Sequence, residues 1–72
     1  MKSVTDESFN NDVIIRSETI PVIVDLWATW CEPCKSLTPI LETVVARTNG
    51  AVELVAVNID ENPQIRQTFQ VQ

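Results

Sequence analysis

Two stretches of this chain are apolar on both faces when read as strands, and this restricts its architecture more than any other feature. Val22 to Ala28 is interrupted only by Asp25, and Val52 to Ile59 only by Glu53 and Asn58. Strands covered on both sides belong in a parallel sheet flanked by helices. Between the two runs lies a helical pattern from Lys35 to Thr48. In it Leu37, Ile40, Leu41, Val44 and Val45 recur at spacings of three and four, which predicts one buried stripe. Pro39 falls inside this helix and is expected to kink it. Asn49-Gly50 closes it with residues that tolerate the left-handed conformation. A strand, a crossover helix and a parallel strand follow in order, and such crossovers are right-handed.

The rest of the chain extends the same alternation. Ser3-Val4 reads as a short first strand. Thr5 is a plausible N-cap with Asp6 and Glu7 in the first turn, and Phe9, Val13 and Ile14 are expected to share the inner face of a helix ending near Ser17. Pro21 forces Ile20 to be extended. Asn62-Pro63 opens a last helix, with asparagine as cap and Ile65 and Phe69 on its inner face. The expectation is a single α/β domain over residues 1–72, in the order β-α-β-α-β-α, without repeats or an internal linker.

Composition narrows the function. A domain of 72 residues buries only ~60% of its unfolded surface, so stability is modest. The net charge of −5 argues against nucleic acid or an anionic membrane as partner. The longest apolar stretch, Ile20 to Ala28, is too short to span a bilayer and contains Asp25. Met1-Lys2-Ser3 leads into polar residues with no apolar signal core, so a cytoplasmic location is expected. Cys31 and Cys34 are the only cysteines, and in that compartment a close pair points to catalysis or metal binding rather than a structural staple.

Their spacing puts both sulfurs on one helix face, one turn apart, at a strand-to-helix corner. Free N–H groups and the helix dipole stabilise a thiolate there, so the dithiol is poised for disulfide exchange. Two other readings remain open at this point. The cysteines could be small buried hydrophobes. Zinc needs four ligands, and with no histidine in the chain only carboxylates or a second chain could complete a site.

Val24-Asp25-Leu26-Trp27-Ala28, Trp30-Cys31-Glu32-Pro33-Cys34-Lys35 and Pro39 closely resemble the active-site region of the thioredoxin family, and Asn58-Ile59-Asp60-Glu61-Asn62-Pro63 is similar to its third strand and exit. The resemblance implies a thioredoxin-like fold with a three-stranded parallel sheet in the order first, third, second, leaving the second strand on an open edge. It also implies that this is the first two-thirds of a domain, without the cis-proline loop, the last two strands and the last helix. A thioredoxin-like co-chaperone is a second parent compatible with it.

The activity implied is that of a protein disulfide reductase involved in cell redox homeostasis. Cys31 would be the nucleophile, Cys34 the resolving thiol and Asp25 the proton carrier, beside the plainer reading of Asp25 as structural. Thioredoxins often place a lysine near this carboxylate, where the present chain has Ala56. Glu32 stands where they usually carry glycine. Its charge would disfavour the thiolate and make the pair at least as reducing, unless it points into water and is screened. Pro33 preorganises the first helical turn, Trp30 could shield the disulfide and contact substrate, and Lys35 could ease the thiolate or simply be solvated. Asp60 and Glu61 read as a solvated strand exit. No bound cofactor is implied; reducing equivalents would come from NADPH through a flavin-dependent thioredoxin reductase. Expected partners are that reductase and protein disulfides, with a homodimer or strand exchange at the second-strand edge. The alternative to an enzyme is a client-binding module with little turnover.

Overall fold

A computed structural model describes residues 1–70. Its elements are β1 (Lys2–Ser3), a π-helical segment (Asn10–Ile15) running into a 3-10 turn (Arg16–Glu18), β2 (Val22–Trp27), α1 (Glu32–Ala46), β3 (Glu53–Asn58) and α2 (Pro63–Thr68). The sheet is parallel in the order β1-β3-β2, as expected, with β2 and β3 in register from Val22 opposite Glu53 to Trp27 opposite Asn58. No helix among the described residues is long and apolar enough to cross a membrane.

Burial on both faces holds for β3, where Leu54, Val55, Ala56 and Val57 are all buried. It does not hold for β2, in which Asp25 alone is buried and Ile23 is 37% exposed. The difference is positional. β3 has a strand on each side, whereas β2 is an edge strand with no strand partner on its outer side among the described residues.

Alternation along the strands then sorts the side chains. Val55 and Val57 pack with Val4, Val13 and Ile65, joined by Phe9, Val22, Val24 and Leu26, to form the core on one face. Asp25 and its register partner Ala56 lie on the other face, with Ile23 and Leu54.

The first helical segment departs from the expected regular helix. Its N-cap position, Phe9, makes no side-chain bond, and Thr5 and Ser8 instead bond reciprocally in the turn before it: the Ser8 N–H donates to Thr5 Oγ1 at 3.3 Å and the Thr5 N–H to Ser8 Oγ at 2.9 Å. Val13 is buried and Phe9 packs on the core, but Ile14 is exposed. One residue beyond Val13 lies roughly 100° further round a helix, too far to share its inner face.

α2 begins differently from the expectation as well. Asn62 does not cap it; Asp6 does, from the far end of the chain. Asp6 Oδ2 accepts from the Gln64 N–H at 3.1 Å and Oδ1 from the Ile65 N–H at 2.9 Å. The Asn62 amide is committed elsewhere: its Oδ1 accepts from the Asp6 N–H, and its Nδ2 donates to the Asn58 carbonyl, each at 2.9 Å. Ile65 is buried, while Phe69 is half-exposed and meets Phe9 edge to face with ring centroids 6.0 Å apart.

Candidate active site

β2 ends at Trp27, and the chain turns between Ala28 and Cys31, where the Cys31 N–H donates to the Ala28 carbonyl at 3.1 Å. Cys31 is the N-cap of α1, in extended conformation, and its Sγ accepts from the Cys34 N–H at 3.3 Å. The sulfur thus occupies the place a capping oxygen normally takes, against the orphan N–H groups of the helix start. Cys31 and Cys34 are joined by a disulfide, with Cα atoms 5.3 Å apart. Both are half-buried. Pro33 lies in the first turn of α1, where its missing N–H costs nothing.

The stripe expected along α1 divides. Cys34, Thr38, Leu41 and Val45 are half-buried, whereas Leu37, Ile40 and Val44 are exposed. Apolar residues occupy more of this helix than one sheet face can cover, and the row in line with Cys34 is the one that faces inward. α1 continues through Pro39 without a break.

Beneath this row sits Asp25, only 3% exposed. The Thr38 hydroxyl donates to its Oδ2 at 2.6 Å and lies 3.1 Å from the Cys34 carbonyl oxygen. One side chain therefore links the buried carboxylate to the backbone of the second cysteine. Opposite Asp25 on β3 is Ala56, which offers no polar group. Thr38 was not singled out from the sequence; its position four residues after Cys34, as a polar residue in the inward row, was the available signal.

Glu32 and Lys35, weighed separately from the sequence, form one exposed pair, with Lys35 Nζ 3.2 Å from Glu32 Oε1. Each screens the other's effect on the sulfurs, and an exposed pair contributes little. Glu32→Gly is accordingly expected to raise the reduction potential of the cysteine pair by no more than about 20 mV, with Glu32→Gly/Lys35→Ala returning most of the way. Equilibration with glutathione measures this, and a much larger shift would show that Glu32 acts on a sulfur directly.

Trp30 is exposed, but it is not free to swing. Its indole N–H donates to Asp60 Oδ1 at 3.1 Å, and the same carboxylate oxygen lies 3.6 Å from Arg66 Nη1. This corrects the reading of Asp60 as a merely solvated strand exit: it ties the loop after β3 to the residue preceding Cys31. All the residues expected at the site are thus gathered around the start of α1, with Asp25 reached through Thr38.

The thioredoxin family model matches residues 1–72. The thioredoxin of Rickettsia felis is 48% identical over 63 residues, covering 88% of this chain and 58% of that protein. That of Mycolicibacterium smegmatis is 45% identical over 71 residues, covering 96% and 62%. A bifunctional thioredoxin reductase/thioredoxin of Mycobacterium leprae is 43% identical over 68 residues, covering 94% of this chain and 14% of that one. The crystal structure of chloroplastic thioredoxin z superposes with a TM-score of 0.82 at 35% identity, covering all of this chain and 62% of that one. The chain therefore spans less than two thirds of the length of the relatives it matches.

Proposed function

The chain belongs to the thioredoxin family, and on that footing we propose that it is a thiol–disulfide oxidoreductase that reduces protein disulfides. The observation that carries this reading is the Cys31–Cys34 disulfide at the start of α1, linked through Thr38 to the buried carboxylate of Asp25.

In the reduced state the Cys31 thiolate, held against the N-terminus of α1, attacks one sulfur of the substrate disulfide. The substrate S–S bond breaks, the displaced sulfur leaves as a thiolate and takes a proton from water, and a mixed disulfide to Cys31 remains. Cys34 gives its proton to the Asp25 carboxylate and attacks Cys31 Sγ. The second substrate sulfur leaves, and the Cys31–Cys34 disulfide forms. Two electrons have passed from the dithiol to the substrate. Trp30, anchored by Asp60 and next in sequence to the attacking Cys31, would shield the disulfide and meet the substrate chain.

Regeneration would draw on NADPH through a flavin-dependent thioredoxin reductase, in the cytoplasm. The mycobacterial relative supports this pairing, since it joins a thioredoxin reductase and a thioredoxin in one chain. Turnover of a protein disulfide with dithiothreitol as electron source tests the reading. The wild-type chain should accelerate the reduction and the Cys31→Ser/Cys34→Ser variant should not. Equal rates for the two would contradict it, and tight client binding by the cysteine-free variant would instead favour a binding module.

A further inference from the structure

We propose that Thr38 is a positioning residue for the proton-transfer step, holding Asp25 ready to receive the Cys34 proton; the proposal rests on the reading of Asp25 as proton acceptor given above. Asp25 is buried on an edge strand, with Ala56 as its register partner. Among the described residues Thr38 supplies its side-chain hydrogen bond. A buried carboxyl group needs a hydrogen-bond partner to hold it in place, so the placing of this one depends on the Thr38 hydroxyl. The charges nearest in sequence to the cysteines on α1, Glu32 and Lys35, are exposed and paired with each other.

The geometry does more than satisfy one state. Thr38 Oγ1 has a single proton and two acceptors in reach, Asp25 Oδ2 at 2.6 Å and the Cys34 carbonyl at 3.1 Å. While Asp25 is ionised, the charge-assisted bond to Oδ2 wins. Once Asp25 has taken the proton from Cys34, the hydroxyl turns to the Cys34 carbonyl and its oxygen accepts from the carboxyl O–H. In both protonation states Asp25 Oδ2 and Thr38 Oγ1 thus stay paired with each other. The switch also reports to the backbone of the residue whose sulfur is reacting. A valine at this position keeps the shape and removes both bonds.

The test separates the two thiol steps. The reduced chain is mixed with an aromatic disulfide that releases a coloured thiolate, one equivalent on attack by Cys31 and a second on resolution by Cys34. Thr38→Val should leave the first phase unchanged and slow the second by roughly tenfold, the scale of a lost hydrogen bond to a charged group. Thr38→Ser, which keeps the hydroxyl, should restore the second phase to nearly the wild-type rate. In an Asp25→Asn background Thr38→Val should have no further effect, because its role runs through the carboxylate. Equal slowing of both phases, failure of serine to rescue, or additive effects in the Asn background would overturn the proposal. If Thr38→Val melts earlier than wild type, Thr38→Ala set against Thr38→Ser makes the same comparison. A fast second phase in Asp25→Asn alone would remove the reading on which the proposal rests. A slow one in Asp25→Asn with a fast one in Thr38→Val would remove only the role of Thr38.

Discussion

Cys34→Ser is expected to accumulate a mixed disulfide with substrate at Cys31, whereas Cys31→Ser accumulates little and loses turnover altogether. The asymmetry follows from where the two sulfurs sit on α1. Cys31 is the N-cap residue, and its sulfur already accepts the Cys34 N–H at 3.3 Å. In the reduced protein that N–H and the positive end of the helix are available to a charge on Cys31. Cys34 lies one turn further on, in the row that faces the sheet, with its carbonyl within reach of Thr38. On the proposed mechanism its sulfur acts on Cys31 rather than on an incoming protein. Removing Cys34 leaves the first attack intact and deletes the group that breaks the intermediate, so the intermediate persists. Non-reducing electrophoresis after acid quenching, followed by mass mapping, reads the outcome. Equal trapping by both variants would contradict the assignment of roles.

Asn62→Ala is the substitution outside the site with the largest expected effect, a loss of about 2–3 kcal/mol of stability. Its amide holds together the segment after β1, the end of β3 and the start of α2. It is 6% exposed, accepts from the Asp6 N–H and donates to the Asn58 carbonyl. Alanine would leave the Asp6 N–H without this partner and leave the Asn58 carbonyl to the Glu61 N–H, 3.2 Å away. It would also loosen Asp6, whose carboxylate caps α2 through the Gln64 and Ile65 N–H groups. A domain of this size has on the order of 4–10 kcal/mol in total, so the loss is a large share. The denaturation midpoint should fall with the slope unchanged. Asp6→Ala, which removes the cap but leaves the Asn62–Asn58 bond, should cost less, about 1–2 kcal/mol. An unchanged midpoint in Asn62→Ala would show that the clasp contributes nothing.

The parts of this fold that were legible in the sequence are those set by local pattern. β2, α1 and β3 declare themselves through runs and periods of apolar residues. Asn49 and Gly50, both at positive φ, turn the chain a few residues beyond the end of α1 at Ala46. Asp25 was visible as the one charge in an apolar strand, and the cysteines through their spacing at the strand-to-helix corner. What escaped was set by tertiary juxtaposition. Asp6 caps a helix that begins 57 residues later, at Pro63, and Asp60 meets Trp30 only because the two loops lie side by side. Neither relation leaves a local trace. Thr38 was hidden for another reason: a threonine in a helix commonly bonds back to the carbonyl four residues earlier, which reads as neutral. Its second acceptor, Asp25, comes from β2. The α1 stripe was ambiguous because apolar residues cover two rows, and only the sheet beneath decides which of them is inward.

The central claim is that Cys31 and Cys34 cycle as a pair, passing two electrons to a protein disulfide. It is tested most directly by counting thiols before and after one turnover. The reduced chain is mixed with an equimolar protein disulfide, quenched, alkylated and weighed. Before mixing, two alkyl groups should be found on the chain; afterwards none, with two new thiols on the substrate. A chain that still carries two alkylatable thiols, beside a substrate that has gained none, would contradict the account.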